Sequence, residues 1–134
     1  MTLIGIGNDW RSDDGAGLEV ARRLGGLQLR GEPISLLEVL DGTEDVVVVD
    51  AVLSGAPPGT LHVFDAGSSP LPVDLFGSSS THALGVAEAI EIARSLGRLP
   101  KQVRVYGIEG ATFDYGCGLS PEVEKAVEEC TKSI

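Results

Sequence analysis

The 134-residue sequence predicts an α/β fold, a three-layer α/β/α sandwich built on a mainly parallel five-stranded sheet. Three observations predict it. Short apolar runs alternate with segments of helical period along the whole chain. One run, Val46-Val47-Val48-Val49, is apolar on both faces, as a central strand covered by helices above and below must be. Aromatic residues make up only 4% of the chain, which leaves the core to Val, Leu, Ile and Ala, the usual filling of such sheets.

Thr2–Ile6 reads as the first buried strand, with the Gly5 and Gly7 pair loosening its end. Asp14–Leu24 reads as a helix with Gly17, Val20, Ala21 and Leu24 on one face and Glu19, Arg22 and Arg23 on the other. Leu27–Arg30 is a short second strand. Pro33 suits the first position of a helix that runs to Leu40 and stops at Asp41-Gly42. Val46–Asp50 is the central strand. After the turn Ala56-Pro57-Pro58-Gly59, Thr60–Asp65 alternates Leu61 and Val63 against His62 and Phe64. It reads as an edge strand with His62 on the solvent side. Residues 66–79, rich in Gly, Ser and Pro, form a loop and not a linker, because too little chain follows for a second domain. Ser80 is expected to cap a helix over Thr81–Leu96, and Gln102–Gly107 is the last strand. Ser120-Pro121-Glu122 opens the C-terminal helix with a cap, a first-turn proline and an acid near the positive helix end. The expectation is one domain over residues 1–134.

Hydrophobic residues at 43% and charged residues at 22% fall in the ordinary globular range. The net charge is −10, from 20 acidic and 10 basic residues. Such a surface repels phosphate backbones and anionic lipid, which argues against nucleic acid and membrane as partners. No run approaches the ~20 apolar residues of a membrane span. The stretch Leu3–Ile6 is too short for a signal-peptide core, so the cytoplasm is the expected location. Cys117 and Cys130 match no metal or redox spacing, and Cys130 lies on the apolar stripe of the last helix with Val123, Ala126 and Val127.

Short connections and right-handed crossovers set the first and third strands side by side with their helices on opposite faces. Ligands bind at such a switch point, beyond the carboxyl ends of the strands. Asp14 and Asp50 belong to those two ends, and His82 arrives from the loop side. A carboxylate closing a buried central strand, as Asp50 does, must be solvated, paired or bound to a cation. Two carboxylates and an imidazole form an O, O, N donor set that suits a divalent ion with open positions and metal-assisted hydrolysis. Without a metal, one carboxylate can act as general base toward water. Asp13 beside Asp14 reads as a second acid complementing a helix start. Gly5-Ile6-Gly7 resembles the opening of a dinucleotide fingerprint, but Trp10 stands where the third glycine belongs. Asp9, Asp13 and Asp14 would also face the pyrophosphate, and no Gly-Lys-Ser/Thr of a P-loop follows.

Taken in order, Gly5-Ile6-Gly7-Asn8, Asp13-Asp14-Gly15, Val48-Val49-Asp50-Ala51, Thr81-His82-Ala83-Leu84 and Gly118-Leu119-Ser120-Pro121 resemble the [NiFe]-hydrogenase maturation endopeptidases. The resemblance implies that Asp14, Asp50 and His82 are the catalytic, metal-contacting residues. It implies a peptidase that removes a C-terminal extension from the hydrogenase large-subunit precursor after nickel insertion. The nickel would be contacted on the substrate and not permanently bound, and the acidic cleft would match a cation arriving on the partner. Asp50 or Asp14 would orient the attacking water, while Gly5, Gly7, Asn8 and Gly15 shape the loop. Two stretches depart from the family pattern. Gly31-Glu32-Pro33 stands where many members carry Gly-Gly, and Gly107-Ile108-Glu109-Gly110 where the family is more apolar or has a proline. Both border the cleft and bear on which hydrogenase class is served. The same three side chains also fit a nickel-binding maturation chaperone without proteolysis; a third reading is a non-metal hydrolase on a similar fold.

Overall fold

The computed structural model describes residues 1–30, 33–72, 75 and 85–134. Among them, strands β1 (Thr2–Ile6), β2 (Leu27–Leu29), β3 (Asp45–Val52), β4 (Leu61–Asp65) and β5 (Gln102–Glu109) form one sheet in the order β2-β1-β3-β5-β4. The first three and β5 pair in parallel, and β4 pairs antiparallel to β5 at the edge. Among the described residues four helices cover the sheet: α1 (Ala16–Leu24), α2 (Pro33–Leu40), α3 (Val86–Ser95) and α4 (Pro121–Ser133).

Alternation along β3 divides the core into two layers. Val46, Val48 and Val52 pack with Leu36 and Leu40 of α2 and with Val86, Ala89, Ile90 and Ala93 of α3. Val47, Val49 and Ala51 pack with Ala16 and Val20 of α1 and with Val123, Ala126, Val127 and Cys130 of α4. All four valines of the central run are fully buried. At ~1.5–3 kcal/mol for each buried side chain, this run is the main apolar anchor of the sheet. Since Asp50 follows the same alternation, its side chain belongs to the α2/α3 face.

The α1 backbone lies directly on the sheet. A Cβ on Gly17 would fall 2.3 Å from the carbonyl oxygen of Val49, so only glycine permits this approach. Where the sequence predicts a helix from Asp14, the chain instead makes a 3₁₀ turn over Ser12–Gly15 and enters α1 at Ala16. Likewise the helix expected from Thr81 begins at Val86. Its cap, Gly85, is extended, and its N–H points to Oε1 of Glu88 at 3.4 Å. Residues 76–84, with the expected cap Ser80 and with His82, lie outside the described residues. Ser120 does occupy the cap position of α4, but its hydroxyl makes no cap hydrogen bond and is engaged elsewhere. Cys130 is a buried free thiol, as its place on the stripe predicts, and burial pushes it up to about 12.

Candidate active site

The loop after β1 folds back on itself because two glycines let backbone meet backbone. A Cβ on Gly7 would lie 2.0 Å from the carbonyl oxygen of Asp14. That same carbonyl accepts the N–H of Asn8 at 3.2 Å, and the Asn8 side chain accepts the N–H of Trp10 at 3.0 Å. Asn8 thus ties the loop down with its side chain, as the sequence suggests. Asp14 is presented from this turn, partly buried, at the carboxyl end of β1.

Asp13 has a different job from the helix-start role its position suggests. It is fully buried. Its Oδ2 accepts the N–H groups of Ala111 and Thr112 at 2.8 and 3.2 Å and the Ser120 hydroxyl at 2.8 Å. Its Oδ1 accepts the Ser120 N–H at 2.7 Å. Burial alone would raise this carboxyl; the hydrogen bonds, led by the Ser120 backbone, outweigh it and hold it below the usual aspartate range. Further hydrogen bonds stitch the two loops together, Ser12 N–H to Gly116 O at 2.9 Å and Gly116 N–H to Trp10 O at 2.9 Å. The partners of Asp13 lie about a hundred residues away in sequence, so nothing local announces the knot.

Asp50 sits near the carboxyl end of β3 as the register partner of Gly107 on β5. Its Oδ1 accepts the N–H of Ala51 at 2.9 Å. Its carboxyl is pushed up to about 8, first by loss of water and then by the neighbouring charge of Asp14. The charge of Asp14 thus reaches Asp50 across the paired strands β1 and β3. At neutral pH Asp50 keeps its proton, and a divalent cation would relieve both the desolvation and the repulsion. No group of three metal-ligating side chains occurs among the described residues, and His82, the expected third donor, lies outside them.

A second cluster stands on the same sheet face. Glu109, at the end of β5, is 1% exposed. Its Oε1 accepts the Ser54 hydroxyl at 2.6 Å and faces His62 Nε2 at 3.1 Å, while its Oε2 accepts the Ser54 N–H at 2.7 Å. Burial would raise the Glu109 carboxyl, but Ser54 and His62 together hold it below the ordinary glutamate range. The expectation of a solvent-facing His62 is thereby corrected: its side chain is 20% exposed and points at a buried carboxylate. The reason is that β4 is an edge strand whose outward residue is the apolar Val63, 52% exposed, so apolarity does not mark its inner face. The available signal was Glu109 itself, a charge that follows the buried run Val105–Ile108 as Asp50 follows Val46–Val49.

A family model described as hydrogenase maturation protease matches residues 31–134. Among curated proteins the chain is similar to the hydrogenase 2 maturation protease of Escherichia coli (strain K12), at 23% identity over 148 residues, 100% of this chain and 87% of that one. Among solved structures it is similar to the hydrogenase maturating endopeptidase HybD from E. coli, with a TM-score of 0.80 at 21% identity, over 99% of this chain and 89% of that one. It is also similar to the [NiFe] hydrogenase maturation protease HybD from Thermococcus kodakarensis, with a TM-score of 0.70 at 24% identity, over 99% and 96% of the two chains. These structural likenesses bear out the mainly parallel α/β fold.

Proposed function

Because the chain belongs to the hydrogenase maturation protease family, and is thus an endopeptidase of hydrogenase maturation, we propose that it removes the C-terminal extension of a nickel-loaded [NiFe]-hydrogenase large-subunit precursor. The observation that carries this reading is the Asp14–Asp50 pair at the adjoining ends of β1 and β3, where the like charge of Asp14 and the loss of water leave Asp50 in want of a cation. A nickel ion carried by the precursor supplies that cation, so the metal belongs to the substrate. Asp14, Asp50 and His82 contact it, and one of the two carboxylates orients the attacking water. A net charge of −10 fits a partner that presents a cation, and the reaction is proposed for the cytoplasm.

The test is the intact mass of a nickel-loaded large-subunit precursor incubated with the wild-type protein and with Asp50→Ala and His82→Ala variants. Loss of a single C-terminal segment with wild type alone is the expected outcome. An unchanged precursor that nonetheless binds the protein would point to a nickel-binding chaperone instead. Cleavage by the Asp50→Ala variant at the wild-type rate would sink the assignment of the site.

A further inference from the structure

Asp50 and His62 are both register partners of Gly107, on the two strands that flank β5. Register partners turn their side chains to one face of a sheet, so both emerge on the α2/α3 side, with only a glycine on the strand between them. The span is two strand spacings, about 10 Å between Cα atoms. That leaves room for a peptide carbonyl and a water between a carboxylate and an imidazole.

Glu109 fixes the state of that imidazole. An ionised carboxylate can only accept, so the 3.1 Å contact makes Nε2 a protonated nitrogen, and in the neutral ring the lone pair then sits on Nδ1. Among the described residues Nδ1 has no hydrogen-bond partner. A buried carboxylate that only needed partners already has two hydrogen bonds from Ser54. The third comes from a side chain that is 20% exposed, beside a carboxylate that is 1% exposed. A carboxylate orienting a histidine through one nitrogen, with the other nitrogen open, is the arrangement that equips imidazole for proton transfer.

We propose that His62 is a catalytic residue of the peptidase, the base that accepts the proton of the attacking water, with Glu109 as the positioning residue that fixes its tautomer. This assignment rests on the protease reading above. The water oxygen bonds to the scissile carbonyl carbon as its proton passes to Nδ1 of His62. The carbon–nitrogen bond then breaks, and the proton leaves with the departing amine. Asp14 and Asp50, turned toward the nickel of the substrate, leave this transfer to another group.

The experiment is single-turnover cleavage of a nickel-loaded [NiFe]-hydrogenase large-subunit precursor, followed by intact mass over a range of enzyme concentrations. The variants are His62→Gln, His62→Ala and Glu109→Gln. Glutamine keeps an N–H for Glu109 but has no basic nitrogen. His62→Gln should lower the maximal rate ~10²-fold or more while half-saturation and thermal midpoint stay near wild type. Free imidazole should restore part of the rate to His62→Ala, and no rate to Asp50→Ala. Glu109→Gln should slow the maximal rate by about tenfold with half-saturation unmoved; a shift in half-saturation alone would make Glu109 merely structural. If His62→Gln folds poorly, imidazole rescue of His62→Ala decides, rescue upholding the assignment and its absence overturning it. A wild-type rate for His62→Gln would overturn the role of His62 and leave the protease reading standing. A precursor left intact by the wild-type protein would overturn both.

Discussion

Replacing Asp50 by asparagine should stabilise the protein, and increasingly so as pH rises. Burial and the charge of Asp14 push the native carboxyl up to about 8, against the ordinary aspartate value of 3.8. Its folded-state pKa is raised, so between those values the native state binds more protons than the unfolded state, and stability falls as pH rises through that window. At ~1.4 kcal/mol per pH unit the penalty at pH 7 reaches about 4 kcal/mol, and the partial exposure of the side chain reduces it to about 2 kcal/mol. Asparagine keeps the acceptor for the Ala51 N–H, has nearly the same shape and removes the titration. For a domain of this size, ~3–4 °C per kcal/mol turns the gain into a rise of about 6–8 °C in Tm at pH 7. The assay is the Tm difference between Asp50→Asn and wild type, measured from pH 5 to pH 9 without divalent cations. Titrations common to both proteins cancel in that difference. It should be small at pH 5, grow through neutrality and level off above pH 8. A difference that is flat with pH, or a variant less stable than wild type at pH 8, would refute the reasoning, since Asp50 would then be ionised and paired. Nickel added to the wild-type protein should shrink the gap, because a cation favours the charged form.

Asp13→Ala should be strongly destabilising, by about 3–5 kcal/mol in urea unfolding, because four part-buried donors from Ala111, Thr112 and Ser120 lose their acceptor together. The Asp13 carboxyl is held below the ordinary aspartate value of 3.8, so its contribution is full above that pH and is lost as pH falls through the lower folded value; the wild-type advantage over the variant should shrink in strong acid. Gly7→Ala should depress precursor cleavage more than it depresses Tm, because the new methyl would strike the carbonyl of Asp14 at 2.0 Å and displace that turn. Thiol alkylation of the native protein at pH 8 should add one adduct by intact mass, on the exposed Cys117, with Cys130 labelled only after unfolding. Two adducts under native conditions would contradict the burial of Cys130.

Four valines in a row can be satisfied only by a strand with apolar layers on both sides, and helical periodicity in the flanking segments supplies those layers. The amino-acid sequence therefore settles the α/β class, the central place of β3 and the edge position of β4. It also picks out Asp50, because a charge following such a run must be solvated, paired or bound to a cation. The Ser54–Glu109–His62 cluster joins residues 47 and 55 apart, and the Asp13 knot joins residues 98 to 107 apart. Hydrogen bonds over such separations depend on which strands become neighbours and in what register. Pattern alone likewise misjudged His62, since the face of an edge strand is decided by what packs beneath it. Only the pairing of β3 and β4 on either side of β5, at Gly107, brings Asp50 and His62 to one face. Local chemistry determined which residues were worth watching. Their partners were decided by the tertiary structure, because a buried charge is stabilised by whatever the fold sets around it and not by its neighbours in the chain.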